Sequence, residues 1–259
     1  INYTSWYTTA MVKRIVFLGN NDLGVKALEF LKSQKQELVG LVVHPQKKSK
    51  QRQQLIELSQ LPKKQIFNGE TINQPGTIRA MADLKPDLLV SVLFGYILKA
   101  EILKTAPAVN LHPAYLPFNR GAHPNVWAIV DQTPAGVTLH TIDAGVDTGK
   151  ILAQKKVAVL PNDTGESLYH KLENAGYDLL VKSWPKLIRG QLMPRRQVGI
   201  GTYHSVADLK RLDEIQTNKQ YQAQDLINIL RARTFPSYPG AFFREGKKKV
   251  FIRVALGGE

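Results

Sequence analysis

The chain reads as an α/β protein: a doubly wound, mostly parallel sheet, followed by a small C-terminal α+β unit that ends in a β-hairpin. Three observations predict this. From Met11 onward, short apolar runs alternate with helical patterns. Runs such as "KRIVFLG" and "DLLVSVLF" are apolar at nearly every position, as strands covered on both faces are. After "QLMPRRQVGIG" that rhythm stops, and the tail carries one helical pattern and two strands around a glycine turn. With 259 residues, 43% of them hydrophobic, the chain is long enough for one sizeable core plus a small appended unit.

The elements follow in order. "KRIVFLG" is a strand, and "NNDLGVKALEFLKSQ" a helix with Leu23, Ala27, Leu28 and Leu31 at helical spacing. "ELVGLVVHP" is the next strand, stopped by Pro45. "INQPGTIRAMADLKP" is a helix whose end Pro86 marks, and "DLLVSVLF" is a third strand. "AVNLHP", "GVTLHTID" and "GKILAQKKVAVL" are further strands. "TGESLYHKLENAGYDLLVKSWPKLIRG" is a long amphipathic helix with Leu168, Leu172, Ala175 and Leu179 on one face. Asp163 is its expected N-cap, and the Thr164–Ser167 pair a weaker capping signal. "AQDLINILRART" is a helix, and the last stretch is a hairpin around "REGKK" with Gly246 in the turn. Such alternation implies right-handed crossovers and a Rossmann-like sheet whose ligands lie beyond the carboxyl ends of its strands. The expected division is an extension over residues 1–10, a main domain over 11–190 and a small C-terminal unit over 191–259.

Composition removes several functions. Without cysteine there is no disulfide, no thiolate nucleophile and no Cys-based zinc site, which suits a reducing cytoplasm. No run approaches the roughly 18 to 20 apolar residues that cross a bilayer, and "INYTSWYTTA" lacks the build of a signal peptide. The net charge of +14 is concentrated in "HPQKKSKQRQQ" and "REGKKKVFIR". That pattern fits a solvated basic surface, a site for a small phosphorylated substrate, or phosphate contacts of a nucleic acid. The first loop has no aromatic interleaving, and no nucleic-acid-binding motif is present, so no nucleic-acid partner is expected. "GNNDLG" lacks both the Gly-x-Gly of a dinucleotide fingerprint and the Lys-Ser/Thr of a P-loop. It reads as a plain strand-to-helix turn.

The chemistry sits in "AVNLHPAYLPFNRGAHPNVWAI". Asn110 and His112 lie two apart on a strand and therefore share a face, and Pro113 ends the strand and leaves both at the sheet's carboxyl edge. Asn offers an N–H donor for a developing oxyanion, and His a proton acceptor near neutral pH. In "HTIDAGVDTG", Asp143 or Asp147 follows another strand and can reach the same edge to orient the ring. Donor, base and carboxylate together suit acyl transfer to an amine that attacks directly. The alternative from spacing alone is a strand-end Asn and His satisfied by backbone, with Asp147 capping a turn. His140, in mid-strand, stands between a place near this site and a satisfied core histidine. His44 and His170 look unremarkable.

The segments "NLHPAYLP", "RGAHPNVWAI" and "GVTLHTIDAGVDTG" resemble the folate-dependent formyltransferase family from about Met11 to the end of the chain. The resemblance implies the formyltransferase fold and a catalytic set of Asn110, His112 and Asp147. It implies 10-formyltetrahydrofolate as co-substrate, no metal, and folate contacts at Phe94, Gly95, Tyr96, Ile97, Leu98, Ile142, Asp143, Gly145 and Val146. "FNRGAHPNVWAI", "GTYHSVADL" and "LRARTFPSYPGAFF" look like the members that act on dTDP- or UDP-linked amino sugars. The substrate contacts implied are Tyr115, Arg120, His123, Asn125 and Trp127. Arg120 would pair with phosphate, Tyr115 and Trp127 would offer flat faces, and His123 and Asn125 would bond sugar hydroxyls; Trp127 equally fits the start of a packed helix. Arg231 and Arg233 would reach the diphosphate or lie on a helix surface. The same resemblance implies a homodimer through the C-terminal unit. The alternative acceptor is methionyl-tRNA, taken by an enzyme with a shortened C-terminal domain.

Overall fold

The computed structural model describes residues 12–257; the extension expected over residues 1–10 lies outside the described residues. The first half runs β1 (Arg14–Gly19), α1 (Asn21–Ser33), β2 (Glu37–Val43), α2 (Arg52–Ser59), β3 (Ile66–Asn68), α3 (Pro75–Asp83), β4 (Leu88–Val92), α4 (Ala100–Leu103) and β5 (Ala108–His112). Then come β6 (Arg120–Gly121), α5 (Pro124–Val130), β7 (Ala135–Thr141), β8 (Ile151–Val157) and α6 (Gly165–Ile188). The tail holds β9 (Tyr203–His204), α7 (Val206–Leu212), α8 (Ala223–Ala232), β10 (Ala241–Glu245) and β11 (Lys248–Ile252). No described helix is long and apolar enough to cross a membrane.

The central sheet has the order β3-β2-β1-β4-β5-β7-β8. Strands β3 to β5 pair in parallel, and β7 runs antiparallel to β5. The strand order reverses direction at β1, where β4 takes the side opposite β2, as a doubly wound sheet requires. The fold is the mostly parallel α/β sheet that the alternating pattern predicts, and β10 and β11 form the expected hairpin, with Gly246 at positive φ in its turn. Val16, Leu18, Val42 and Leu89 come from adjacent strands and are essentially sealed; Met81 of α3 and Ile102 of α4 close over them. Burial on both faces explains why these strands read as continuous apolar runs.

The chain divides into two compact units, neither of them one continuous stretch. Of the described residues, the first takes 12–112, 138–154 and 176–197; the second takes 113–137, 155–175 and 198–257.

Three local features depart from the sequence reading. The basic stretch read as a loop turns helical at Arg52, where α2 buries Leu55, and β3 follows it. Glutamines and charge concealed a helix with one fully buried anchor, which periodicity cannot detect. Helix α7 was also unseen, although Ser205 and Asp208 make a complete capping box at its start. Thr164, not Asp163, caps α6: its hydroxyl accepts from the Ser167 N–H at 3.2 Å, and Ser167 Oγ accepts from the Thr164 N–H at 3.0 Å.

Asp163 does a different job just before the helix. Its carboxylate accepts from the Leu160 N–H at 2.6 Å, from Ser167 Oγ at 2.8 Å and from Lys171 Nζ at 2.7 Å. Burial alone would raise this carboxyl, but the Lys171, Leu160 and Ser167 bonds outweigh it and hold it below the ordinary carboxylate range. A depressed folded-state value means stability that is present above the unfolded value, about 3.9, and lost as pH falls through the folded one. Thermal unfolding followed from pH 6 down to pH 2 should show this loss, and Asp163→Asn should start lower and respond less steeply over that interval.

Candidate active site

Register places a polar row across three neighbouring strands of the first unit. Ser91 of β4 is paired with Asn110 of β5, and Asn110 with His140 of β7. Ser91 Oγ donates to the Asn110 carbonyl oxygen at 2.8 Å. The NH2 group faces the other way, toward the Asp147 carboxylate, which can only accept and so fixes the amide. There Nδ2 lies 3.2 Å from His140 Nε2 and donates to Asp147 Oδ1 at 3.4 Å. His140 Nδ1 sits 2.8 Å from the Thr141 carbonyl, which can only accept, so the network assigns the proton to Nδ1 and leaves Nε2 as an acceptor.

His112, two residues beyond Asn110 on the same face, brings Nε2 to 3.6 Å from Asp147 Oδ2. His140 Nε2 is 3.5 Å from Asp147 Oδ1. The two imidazoles stand edge to face with centroids 6.2 Å apart. The side chains are 8% exposed for His112, 2% for His140 and 13% for Asp147, so the carboxylate meets both rings with little competing water. Asn110, His112 and Asp147 are thus brought together, and Asp143 is not part of the group.

The loop that delivers Asp147 is tightly determined. Asp143 Oδ1 accepts from the Gly145 N–H at 3.1 Å and from the Thr148 hydroxyl at 2.5 Å. Asp147 itself has φ 53°, in the left-handed region. At Gly149 a Cβ would stand 1.6 Å from the Thr141 carbonyl oxygen, so only glycine lets the turn close on the end of β7.

The second predicted segment, Phe94 to Leu98, leaves β4. Phe94, Tyr96 and Ile142 are partly buried and pack against the core cluster that contains Leu98, so side chains from both predicted segments meet the same cluster. Ile97 is 60% exposed. His44 departs from its reading as unremarkable. Its ring stands 5.4 Å from Phe94 and 4.9 Å from Tyr96, and its Nε2 accepts from the Gly95 N–H at 3.2 Å. Burial pushes this imidazole below its ordinary range, which keeps it the neutral acceptor that the Gly95 bond needs. Gly145 and Val146 lie on the Asp147 loop.

The five residues read as substrate contacts belong to the second unit. Tyr115 packs against Gly136, where a Cβ would meet its ring at 2.9 Å. Arg120 pairs with Tyr203 in the short β6–β9 sheet. His123 is the N-cap of α5 in left-handed backbone. Asn125 is buried and donates to the Gly165 carbonyl at 2.8 Å. Trp127, 7% exposed, stacks on His204 at 3.9 Å, and His204 lies 2.8 Å from the Asp131 carboxylate.

Two further arginines correct the reading. Arg231 is buried, and its guanidinium donates to Asn228 Oδ1 and to the carbonyls of Leu160, Pro161 and Asp163. Arg233 is buried against Asp213. Both brace the second unit from within, instead of presenting donors on a helix surface or to a diphosphate. Among the described residues, no group of three or more His, Cys, Asp or Glu could hold a metal ion.

Sequence reasoning missed Ser91 and left His140 undecided. Ser91 interrupts the apolar run "DLLVSVLF", and a buried hydroxyl in such a strand needs a partner. That was the available signal.

Comparison with known proteins adds the family. The formyl transferase profile matches residues 13–183, and one described as the N-formyltransferase dimerization C-terminal domain matches residues 208–258. The chain is 31% identical to the methionyl-tRNA formyltransferase of Thermodesulfovibrio yellowstonii over 96% of its own length and 82% of that protein's. In structure it is similar to a sugar N-formyltransferase from Shewanella, with a TM-score of 0.84 and 22% identity over 96% of this chain and 100% of that one. It is also similar to the N-formyltransferase of Helicobacter canadensis solved with folinic acid and dTDP-3-aminofucose, with a TM-score of 0.69 and 22% identity over 92% of this chain and 86% of that one.

Proposed function

The chain belongs to the formyl transferase family, and from that premise we propose that it moves the formyl group of 10-formyltetrahydrofolate to the amine of a dTDP- or UDP-linked amino sugar. The observation that carries the reading is the convergence of the Asn110 amide and the His112 imidazole on the Asp147 carboxylate. These groups supply what amine formylation needs, and no nucleophilic side chain is required.

The neutral amine of the acceptor attacks the formyl carbon, and the carbonyl electrons move onto oxygen. In this reading the Asn110 Nδ2–H holds that oxyanion. The bond from Nδ2 to Asp147 is long at 3.4 Å, so it gives way readily to a shorter, charge-assisted one. His112 takes the proton that the attacking nitrogen releases, and Asp147 steadies the imidazolium. Collapse re-forms the carbonyl and breaks the bond to N10, and N10 receives a proton from His112. His140, with Nε2 turned to the Asn110 amide, holds that amide in line.

For folate binding, the partly buried Phe94, Tyr96 and Ile142, backed by the core cluster that holds Leu98, offer apolar surface for a flat ring. The complex of the Helicobacter canadensis relative with folinic acid supports this reading, and its dTDP-3-aminofucose supports the choice of acceptor. Arg120 is our choice for the phosphate contact, and Tyr115, His123, Asn125 and Trp127 are the further contacts proposed for the nucleotide sugar. The division of labour follows the sequence: a catalytic domain over 11–190 and a C-terminal unit over 191–259 that pairs two copies. That pairing draws support from the dimerization profile over 208–258 and from Val250 and Phe251, exposed on β11.

The second reading is transfer to methionyl-tRNA, favoured by 31% identity to an enzyme of that name. One experiment separates them. The protein is incubated with 10-formyltetrahydrofolate and, in separate reactions, dTDP- and UDP-linked amino sugars and charged initiator tRNA. Formylated product should form with at least one nucleotide sugar; transfer to tRNA alone would reverse the choice of acceptor.

A further inference from the structure

We propose that Gln197 is a positioning residue of the active site, acting on Asp147 through the backbone. This rests on the reading of Asp147 as part of the catalytic set.

Three observations lead there. The Asp147 loop carries conformational cost: a non-glycine residue at φ 53°, next to a turn that closes on Thr141 with no room for a side chain. Such a turn needs outside support to hold a carboxylate in one place. The Gln197 side-chain amide gives that support, with Nε2 donating to the Asp147 carbonyl at 2.7 Å and to the Gly149 carbonyl at 2.8 Å. One amide group thus ties the two ends of the turn that aims the Asp147 side chain.

The segment carrying Gln197 is itself fixed to the sheet. β8 is the edge strand, and Ile151 and Arg195 exchange two backbone hydrogen bonds in an antiparallel bridge, at 2.8 and 2.9 Å. Arg195 also donates to Gln154 Oε1 at 2.6 Å. The stretch after α6 is therefore pinned to the open edge at Arg195, two residues before Gln197. Edge docking sets the reach of the amide, and the amide sets the turn. Glutamine suits the post because both donors sit on one nitrogen, at the end of a stem long enough to reach two carbonyls.

The test compares Gln197→Ala, Gln197→Glu, Gln197→Lys and the control Asp147→Ala in formyl transfer, with the acceptor that the panel identifies, alongside thermal unfolding. Gln197→Ala is expected to lower kcat about ten- to a hundredfold while both KM values stay within about threefold, the effect of misplacing a catalytic group. Gln197→Glu, which turns carboxylate oxygens toward two carbonyls, should lose at least as much. Gln197→Lys restores N–H donors at similar reach and should recover most of kcat. If the alanine variant melts lower yet keeps wild-type kcat, or if lysine fails to rescue, the role is merely structural and the proposal falls. If Asp147→Ala keeps full turnover, the catalytic reading fails first and takes the proposal with it.

Discussion

Asn110→Ala is expected to slow formyl transfer by about 10²–10³-fold, the usual cost of losing one oxyanion donor. The residue does more than point a donor. Its carbonyl accepts from Ser91 Oγ at 2.8 Å while its Nδ2 faces the Asp147 carboxylate, so flipping the amide would set its oxygen against a group that can only accept. The isosteric Asn110→Asp is the harsher change. It replaces the donor by an acceptor and sets a second carboxylate beside Asp147, at a position now 3.4 Å from it. Like charges that close cannot both stay ionised, and the shared proton would leave no dependable base. His112→Ala should cost about 10²–10⁴-fold, because a positioned proton acceptor is lost. His140→Ala should fall between wild type and these, since His140 is argued to steady the amide and not to move the proton. Initial rates of tetrahydrofolate release, with circular dichroism to show intact secondary structure, decide the matter. A His112→Ala enzyme with near-normal transfer would remove the mechanism.

How much of this was legible beforehand depends on the kind of signal. Asn110 and His112 were readable because strand geometry is strict: two residues apart means one face, and Pro113 marks the end. Asp147 was readable only as one of two aspartates until the family pattern selected it, since loop geometry is not written in spacing. His140 and Ser91 were beyond spacing for a different reason. Their roles come from register between strands far apart in sequence, and one step of slippage would have turned either from the site. The sheet itself was legible as alternation, while α2 was hidden because its single buried apolar side chain, Leu55, sets no period. Thr164 and Asp163 show the limit for caps: both residue types accept from backbone N–H groups, and only coordinates say which backbone each one serves.

Arg231→Ala is expected to be the most destabilising of the substitutions considered, by about 3–5 kcal/mol. Read from sequence, an arginine near the end of an amphipathic helix was a candidate for a diphosphate. The structure gives it other work. It is 7% exposed, Nε donates to Asn228 at 2.9 Å, and one terminal nitrogen meets the carbonyls of Leu160, Pro161 and Asp163 at 3.0 to 3.2 Å. Burial lowers its pKa from the ordinary arginine value, the expected cost of a sequestered charge, and the Asp163 carboxylate opposes that shift. Those carbonyls belong to the turn that leads into α6, where the Leu160 N–H is in turn held by Asp163 at 2.6 Å. Alanine would leave three carbonyls facing a cavity. Lysine would keep the charge but lacks the planar fork, so it should recover only part of the loss. For a chain of this size the alanine variant should melt roughly 6–15 °C lower. The two roles separate cleanly: a brace lowers the melting temperature and leaves KM for the nucleotide sugar unchanged, whereas a phosphate ligand raises KM tenfold or more in a protein that melts normally. The bonding pattern commits Arg231 to the first outcome, because it is buried and its Nε and Nη1 already serve the chain's own amide and backbone oxygens.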